Sequence, residues 1–324
     1  MGRPGTRPTP APRLAPAFTF VPEAGAVPFP GYRLLRLRGV GGFSTVWEAS
    51  DPTGELIAMK FMSSASPTTT SRELRSLQAI QAVTHPNLLI TRHVWSLPGW
   101  IAIGMDLADA SLLDLLELYS EEFNRPIEAK KLCHYLYQAA LALDFLNRRH
   151  HRIDGKLVGL QHGDIKPNNV LLLGDESKLA DYGLATPTTG PMTPCPRHGT
   201  AEYCAPEVFQ GMLSDRSDQF SLAVTYFVLR TGRFPYSAPP SNREALRNYV
   251  RPEPDLSPLS EPERPVMARA LSPIPQNRYP SCLDLMCSLL TVQGLRVFRY
   301  GEGRIRVGLV SSDMTDAPKS RLFR

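Results

Sequence analysis

The sequence predicts an α+β protein built as two lobes, a small N-terminal lobe rich in β-strands and a larger helical C-terminal lobe. Two observations carry this prediction. Most of residues 31–107 alternate apolar and polar side chains around turn signals, which is the period of half-buried strands. Residues 108–293 instead place apolar side chains at helical spacing. Strands followed by helices favour two lobes with a cleft between them.

Residues 1–30 precede the lobes and carry eight prolines with little apolar periodicity. This composition is typical of a disordered or polyproline-like leader. We therefore expect the folded domain to begin at residue 31.

The N-terminal lobe, residues 31–107, starts with three predicted strands. They are separated by a Gly-rich turn at 39–42 and by a DPTG turn at 51–54. One long helix follows, with Ser71 as its expected cap and apolar residues at helical spacing, and it ends before the HPN stretch at 85–87. Two more strand-like runs, LLITRHVW and GWIAIGMDLA, complete the lobe.

The C-terminal lobe, residues 108–293, is predicted to consist mainly of helices. The stretch SDQFSLAVTYFVLRTG is apolar on nearly all sides, which predicts a helix buried at the centre of the lobe. After Gln293, the run RVFRYGEGRIRVGLV alternates around Gly-Glu-Gly and predicts a β-hairpin within a basic tail, residues 294–324.

The formal net charge of +5 does not indicate a nucleic-acid-binding surface, because the positive excess lies in the two tails of the chain. The cysteines are odd in number, five, and form no CxxC pair, which argues against a disulfide framework and against a zinc knuckle. The apolar runs are too short to span a bilayer, and no apolar signal-peptide core is present. We therefore expect a cytoplasmic protein with no membrane span.

Five short motifs occur in a fixed order along the chain, and each lies on the type of element that its chemistry requires. They are RGVGGFSTVWEA at 38–49, AMK at 58–60, HGDIKPNN at 162–169, ADYG at 180–183 and GTAEYCAPE at 199–207. Together they resemble the protein kinase family over roughly residues 32–293, and the style of the catalytic loop resembles that of bacterial members. The resemblance implies the bilobal protein-kinase-like fold.

The resemblance also implies that the chain binds ATP. Gly39 and Gly41 would let the backbone approach the phosphates, and Ser44 stands where the family usually has its third Gly. Lys60 would bond the α- and β-phosphates and pair with Glu73 on the following helix.

By the same resemblance Met105 is the gatekeeper residue, and the backbone of Asp106 and Ala108 meets the adenine edge. Val46 would lie over the adenine and Leu171 beneath it. The residues that the resemblance assigns to nucleotide binding are Gly39, Gly41, Phe43, Ser44, Val46, Ala58, Lys60, Glu73, Met105, Asp106, Ala108 and Leu171.

The catalytic residues that the resemblance implies are Asp164, Lys166, Lys60 and Thr200. Asp164 would orient the acceptor hydroxyl and take its proton, while Lys166 would neutralise the transferred phosphoryl group. Thr200 would bridge Asp164 and Lys166. Asn169 and Asp181 would hold Mg²⁺ with oxygen ligands.

Gly163 is the departure from the family pattern, since most protein kinases have Arg at this position. That Arg pairs with a phosphorylated residue of the activation loop. We hypothesise that activity here does not depend on a loop phosphate acting through residue 163, although the loop contains Thr186, Thr188, Thr189 and Thr193.

The HGD sequence also occurs in small-molecule kinases, which gives a rival interpretation. Those enzymes typically lack a GTAEYCAPE segment, and Thr200 within it favours Ser/Thr as the acceptor. Glu207 in this segment is expected to pair with Arg278, and Asp218 to anchor the backbone of the catalytic loop.

The sequence therefore predicts a Ser/Thr protein kinase that transfers the ATP γ-phosphoryl group to a protein substrate with Mg²⁺. A pseudokinase with the same fold, acting as a nucleotide-binding scaffold, is the first alternative. Pseudokinases usually lack one of the residues corresponding to Lys60, Asp164 or Asp181, and all three are present here. A small-molecule kinase is the second alternative.

Overall fold

The computed structural model describes residues 20–42, 44–63, 83–153, 155–182, 185–195, 199–300 and 304–309. The chain divides into two compact units. Unit 1 is Met1–Leu74 with His93–Gly104, and unit 2 is Arg75–Arg92 with Met105–Arg324. Strands dominate the first unit and helices the second, which confirms the predicted α+β class.

Unit 1 is built on a five-stranded sheet with the order β1-β2-β3-β5-β4. The pairs β1–β2 and β2–β3 are antiparallel. Alternate side chains of the sheet bury a small core that includes Leu34, Ala49, Met59 and Phe61, so the period-2 pattern read in the sequence is realised. The strands are β1 (Arg33–Val40), β2 (Ser44–Ser50), β3 (Leu56–Ser63), β4 (Thr91–Leu97) and β5 (Trp100–Asp106).

Residues 20–30 are packed against the sheet of unit 1. Here the structure differs from the disordered leader that composition predicted. Phe29 stacks on Trp95 with ring centroids 4.4 Å apart. The Trp100 indole N–H donates to the Phe20 carbonyl oxygen at 2.9 Å. The proline-rich composition predicted that this segment forms no helix or strand. Its aromatic side chains nevertheless hold it to the sheet. The rest of the leader lies outside the described residues, as does the predicted helix after Ser71.

Unit 2 contains seven α-helices among its described residues. The helix predicted to be buried is α4, and every side chain from Ser217 to Leu229 is buried. Its neighbour α2 contributes a long apolar face to the same core. The helices are α1 (Leu112–Glu121), α2 (Ala129–Asn147), α3 (Pro206–Phe209), α4 (Ser217–Thr231), α5 (Arg243–Arg247), α6 (Glu263–Ala270) and α7 (Cys282–Val292).

Short strands in unit 2 position the loops between these helices. Two three-stranded sheets have the orders β10-β9-β6 and β11-β8-β7, and β12 pairs with β13. The strands are β6 (Ala110–Ser111), β7 (His151–Ile153), β8 (Lys156–Gln161), β9 (Val170–Leu173), β10 (Glu176–Leu179), β11 (Thr186–Thr188), β12 (Met192–Pro194) and β13 (Met212–Ser214).

The hairpin predicted near the C-terminus is present. β14 (Leu295–Tyr300) pairs antiparallel with β15 (Arg304–Leu309). In the described part of the chain, no helix combines the length and the apolar composition that a bilayer crossing requires.

Candidate active site

The carboxylate of Asp164 is the centre of a hydrogen-bonded group in unit 2. Its Oδ1 accepts hydrogen bonds from the backbone N–H of Thr200 at 2.8 Å and from the Thr200 hydroxyl at 2.7 Å. Its Oδ2 lies 2.9 Å from Nζ of Lys166. Lys166 also donates to the Thr200 hydroxyl at 2.8 Å, so the three side chains form a closed triangle. The contacts predicted for Thr200 are confirmed, and its catalytic role stays a prediction.

The pKa of the Asp164 carboxyl is lowered. Burial acts to raise it, but hydrogen bonds from Lys166 and Thr200 and the positive charge of Lys166 outweigh burial. The group is therefore a carboxylate at neutral pH. The Asp164 side chain is 31% exposed, so part of it is accessible to solvent.

Asp218, near the start of α4, fixes the backbone of the loop that carries Asp164. Its two carboxylate oxygens accept the backbone N–H groups of His162 at 2.7 Å and of Gly163 at 2.9 Å. Asp218 is buried, so these bonds are shielded from competing water. The anchoring contact predicted from sequence is confirmed.

His162 is a positioning residue to which sequence reasoning assigned no role. Its Nδ1 accepts the backbone N–H of Asp164 at 3.3 Å, which leaves Nε2 as the donor to the Ala180 carbonyl oxygen at 2.7 Å. One buried imidazole thus joins the catalytic loop to the residue before Asp181. The only sequence signal was its place in the HGD triplet.

Gly163 and Gly199 form a close backbone contact that explains both glycines. A Cβ at Gly199 would overlap the carbonyl oxygen of Gly163, so any larger residue would push Thr200 away from Asp164. Gly163 itself has a φ of 76°, in the region that favours glycine. The Gly in HGD thus suits the left-handed backbone that this loop adopts.

Asn169 and Asp181, the predicted metal ligands, fit that role in their chemistry. The buried Asn169 amide donates from Nδ2 to the Asp164 carbonyl oxygen at 2.7 Å and to Asp164 Oδ2 at 3.2 Å. Its Oδ1 accepts no hydrogen bond from any residue that the structure describes, and an amide oxygen is a ligand that Mg²⁺ takes. The backbone N–H of Ala180 donates to the Asn169 carbonyl oxygen at 2.9 Å, which brings Asp181 to the same loop pair.

Asp181 has an exposed side chain and a φ of 61°. A residue other than Gly in this left-handed region costs about 1 kcal/mol and is found mostly where the surrounding structure imposes it, often at functional sites. This backbone conformation supports a functional role for the ADYG turn.

The chain around Thr200 is held by strand pairing and by one buried ion pair. β11 pairs with β8, and β12 pairs with β13. Arg278 and Glu207 form a bidentate pair with N···O distances of 2.8 and 2.7 Å, as the sequence predicted. Burial acts to raise the pKa of Glu207, but the hydrogen bonds and charge of Arg278 outweigh it and lower that pKa.

Unit 1 holds the residues predicted to contact the phosphates. Lys60 is half-buried in β3 and pairs in register with Val46 of β2, which in turn pairs with Gly39 of β1. The backbone N–H of Gly41 donates to the Ser44 carbonyl oxygen at 2.7 Å and closes the Gly-rich turn.

A Cβ at Gly39 would meet no protein atom within 4 Å. Among the residues that the structure describes, none therefore fills the space beside Gly39, and its contact with phosphates stays a prediction.

The remaining predicted nucleotide contacts are in part described. Ala58 is buried in β3, and Met105 is buried at the end of β5. Asp106 is half-buried, and its carboxylate accepts Nε of Arg92 at 2.7 Å. Ala108 and Leu171 are half-buried, Leu171 within β9. Phe43 and Glu73 lie outside the described residues, and so does the predicted pairing of Glu73 with Lys60.

Comparison with known proteins identifies the family of this chain. The sequence model of the protein kinase domain matches residues 32–295. The serine/threonine-protein kinase PknF of Mycobacterium tuberculosis is 28% identical over 289 residues, covering 83% of this chain and 58% of that protein. The CBL-interacting protein kinase 4 of Oryza sativa subsp. japonica is 32% identical over 263 residues, covering 76% and 54%.

PknD of Mycobacterium tuberculosis is 29% identical over 279 residues, which is 82% of this chain and 40% of that protein. The chain spans about half the length of the curated relatives it matches. The mycobacterial relatives confirm the resemblance to bacterial Ser/Thr protein kinases.

Proposed function

The chain belongs to the protein kinase family, and from that premise we propose that it transfers the γ-phosphoryl group of ATP to a Ser or Thr hydroxyl of a protein substrate. The single observation that supports this most strongly is the closed triangle of Asp164, Lys166 and Thr200. It places a proton acceptor and a cation in fixed contact, which is what phosphoryl transfer needs from a protein.

In the proposed reaction the acceptor hydroxyl loses its proton to an oxygen of Asp164. The hydroxyl oxygen forms a bond to the γ-phosphorus, and the bond from that phosphorus to the bridging oxygen breaks, so that ADP leaves with the electron pair. The Lys166 ammonium stabilises negative charge on the transferred group. Lys60 binds the α- and β-phosphates by the family resemblance.

Asn169 and Asp181 are the residues proposed to hold Mg²⁺. When bound, the ion neutralises phosphate charge that the protein's own cations leave uncompensated. The oxygen chemistry of this pair suits Mg²⁺ better than a soft metal.

We also propose that the domain works in the cytoplasm, where ATP is supplied. The reducing conditions there keep thiols from forming disulfides, and none of the five cysteines is in a disulfide in the structure.

The test is transfer of labelled phosphate from ATP to two generic substrates, basic histone and acidic casein. We expect the wild-type chain to label at least one of them and Asp164→Asn to lose about a thousandfold in kcat, because general-base and charge effects are both removed. Asp175→Asn is the matched control, since Asp175 is an exposed acid of the same unit outside the triangle.

Three outcomes would change the proposal. Binding of ATP without transfer to protein or to small alcohols would favour a pseudokinase. Labelling of a small alcohol but never of protein would favour a small-molecule kinase. Equal loss in Asp164→Asn and Asp175→Asn would show that the triangle is not the reacting group.

A further inference from the structure

Arg251 holds the backbone of the residues that follow Thr200. Its Nε donates to the Cys204 carbonyl oxygen at 2.9 Å. One terminal nitrogen, Nη2, donates to the carbonyl oxygens of Ala201 at 2.6 Å, Glu202 at 3.0 Å and Cys204 at 2.7 Å. In the described part of the chain, no carboxylate lies within ion-pair distance of this guanidinium.

The guanidinium of Arg251 is fixed from its other side by aromatic rings. Its Cζ lies 4.8 Å from the ring centroid of Tyr236, 5.2 Å from that of Phe209 and 5.7 Å from that of Phe220. Cation–π attraction adds to the hydrogen bonds and limits the orientations that the planar group can adopt. Burial lowers the pKa of Arg251, because the charged guanidinium is removed from water.

We call residues Thr200–Cys204 the acceptor segment, because it begins with the residue that contacts Asp164. Every carbonyl group of this segment has a described partner. Thr200 O accepts the N–H of Tyr203 at 3.0 Å, and Tyr203 O accepts the Ser221 hydroxyl at 2.9 Å. Arg251 binds the other three carbonyl oxygens, so the backbone of the segment is fixed along its whole length.

We infer that Arg251 is a positioning residue that holds the acceptor segment in the shape a protein substrate binds. This inference rests on the proposed function, because the segment has a substrate only if the chain phosphorylates proteins. The physical reason is preorganisation: a segment already fixed by Arg251 does not lose conformational entropy when the substrate docks on it. Arg251 therefore acts on substrate affinity, through the segment, and touches no reacting atom.

The decisive variant is Arg251→Lys, which keeps the positive charge and most of the packing. An ammonium group cannot reproduce the planar fork that reaches several carbonyl oxygens at once. We expect KM for the protein substrate to rise about tenfold, which corresponds to the net loss of one charge-assisted hydrogen bond. The substrate is whichever of histone and casein the wild-type chain labels.

Arg216→Lys is the matched control. Arg216 also donates to three carbonyl oxygens, those of Pro275, Gln276 and Arg278, and none of them belongs to the acceptor segment. A purely structural effect of losing such a group would appear in both variants. We expect Arg216→Lys to leave KM for the protein substrate within twofold of wild type.

Two further readouts separate positioning from general loss of stability. Hydrogen exchange of the backbone amides in the acceptor segment should be at least tenfold faster in Arg251→Lys than in wild type and unchanged in Arg216→Lys. The dissociation constant for ATP should stay within twofold in Arg251→Lys, because no nucleotide contact is altered.

The results also separate this inference from the proposed function. If the wild-type chain labels no protein, the proposed function fails and the inference fails with it, whatever the exchange rates are. If the wild-type chain labels protein but Arg251→Lys shows wild-type KM and wild-type amide exchange, only the inference is overturned. A rise in KM accompanied by an equal loss of ATP affinity, matched in Arg216→Lys, would also overturn it.

Discussion

The buried pair of Arg278 and Glu207 gives a stability prediction with a defined pH dependence. Arg278 is fully buried and Glu207 is 5% exposed, and Glu207 also accepts the hydroxyls of Ser214 and Ser217 at 2.8 and 2.7 Å. Replacing Arg278 by Met leaves a carboxylate buried without its cation. Breaking a buried pair in this way costs about 3–5 kcal/mol of unfolding free energy at pH 7.

The loss of unfolding free energy in Arg278→Met should become smaller as pH falls, because two effects act in the same direction. In the wild type the pKa of Glu207 is lowered, so the stability it contributes is present above the unfolded pKa, roughly 4.3, and is lost as pH falls through the folded value. In Arg278→Met burial, the largest influence on Glu207, is opposed by hydrogen bonds alone, including those of Ser214 and Ser217, so we expect its pKa to rise above the unfolded value. Protonation then relieves the buried charge, and the two proteins approach each other in stability below about pH 5.

The assay is urea unfolding at about pH 7 and about pH 4, on either side of this window, followed by far-UV circular dichroism. The three tryptophans, Trp47, Trp95 and Trp100, all lie in unit 1, so tryptophan emission would report on the wrong unit, whereas helix content reports on unit 2. The double variant Glu207→Gln/Arg278→Met is the control and should cost less than Arg278→Met alone. A cost below about 1 kcal/mol, or one that does not change with pH, would refute the reasoning.

Two further predictions concern the activation loop and the leader. Replacing Thr186, Thr188, Thr189 and Thr193 together by Ala should leave kcat within a few-fold, because strand pairing of β11 and β12 holds the loop; a collapse of labelling in the substrate assay would contradict this. Phe29→Ala should lower the unfolding free energy of unit 1 by about 1–3 kcal/mol, since it removes the stack on Trp95. Tryptophan emission during urea unfolding measures the stability of unit 1, and Val27→Ala, at an exposed position, is the control. Equal unfolding midpoints of Phe29→Ala and wild type would contradict the prediction.

The site in unit 2 could be predicted from sequence because its parts lie in short motifs. Asp164, Lys166 and Asn169 fall within one motif, and Thr200 and Glu207 fall within another. The contact of Thr200 with Asp164 spans 36 positions and was predicted from the resemblance of these motifs to the protein kinase family, not from spacing. The helix α4 was predictable for a different reason, since a helix that is apolar on all sides has no face to give to solvent.

Other features depend on contacts between residues far apart in sequence, and no local pattern reveals them. Phe20 bonds Trp100 across 80 positions, and Arg251 reaches Cys204 across 47. The strands β11, β12 and β13 have three residues each, which is too short for alternation to show. These contacts arise from the tertiary fold, and composition alone gave the wrong expectation for residues 20–30.

The most direct test of the account is to identify, by mass spectrometry, the residue that carries phosphate after incubation of the wild-type chain with ATP, Mg²⁺ and the protein substrate. We predict phosphate on Ser or Thr side chains of the substrate, at a level about a thousandfold lower when Asp164→Asn replaces the wild type. Substrate phosphate that persists at the wild-type level in Asp164→Asn, or that sits on Tyr alone, would contradict the central claim that the group around Asp164 and Thr200 directs transfer to Ser or Thr.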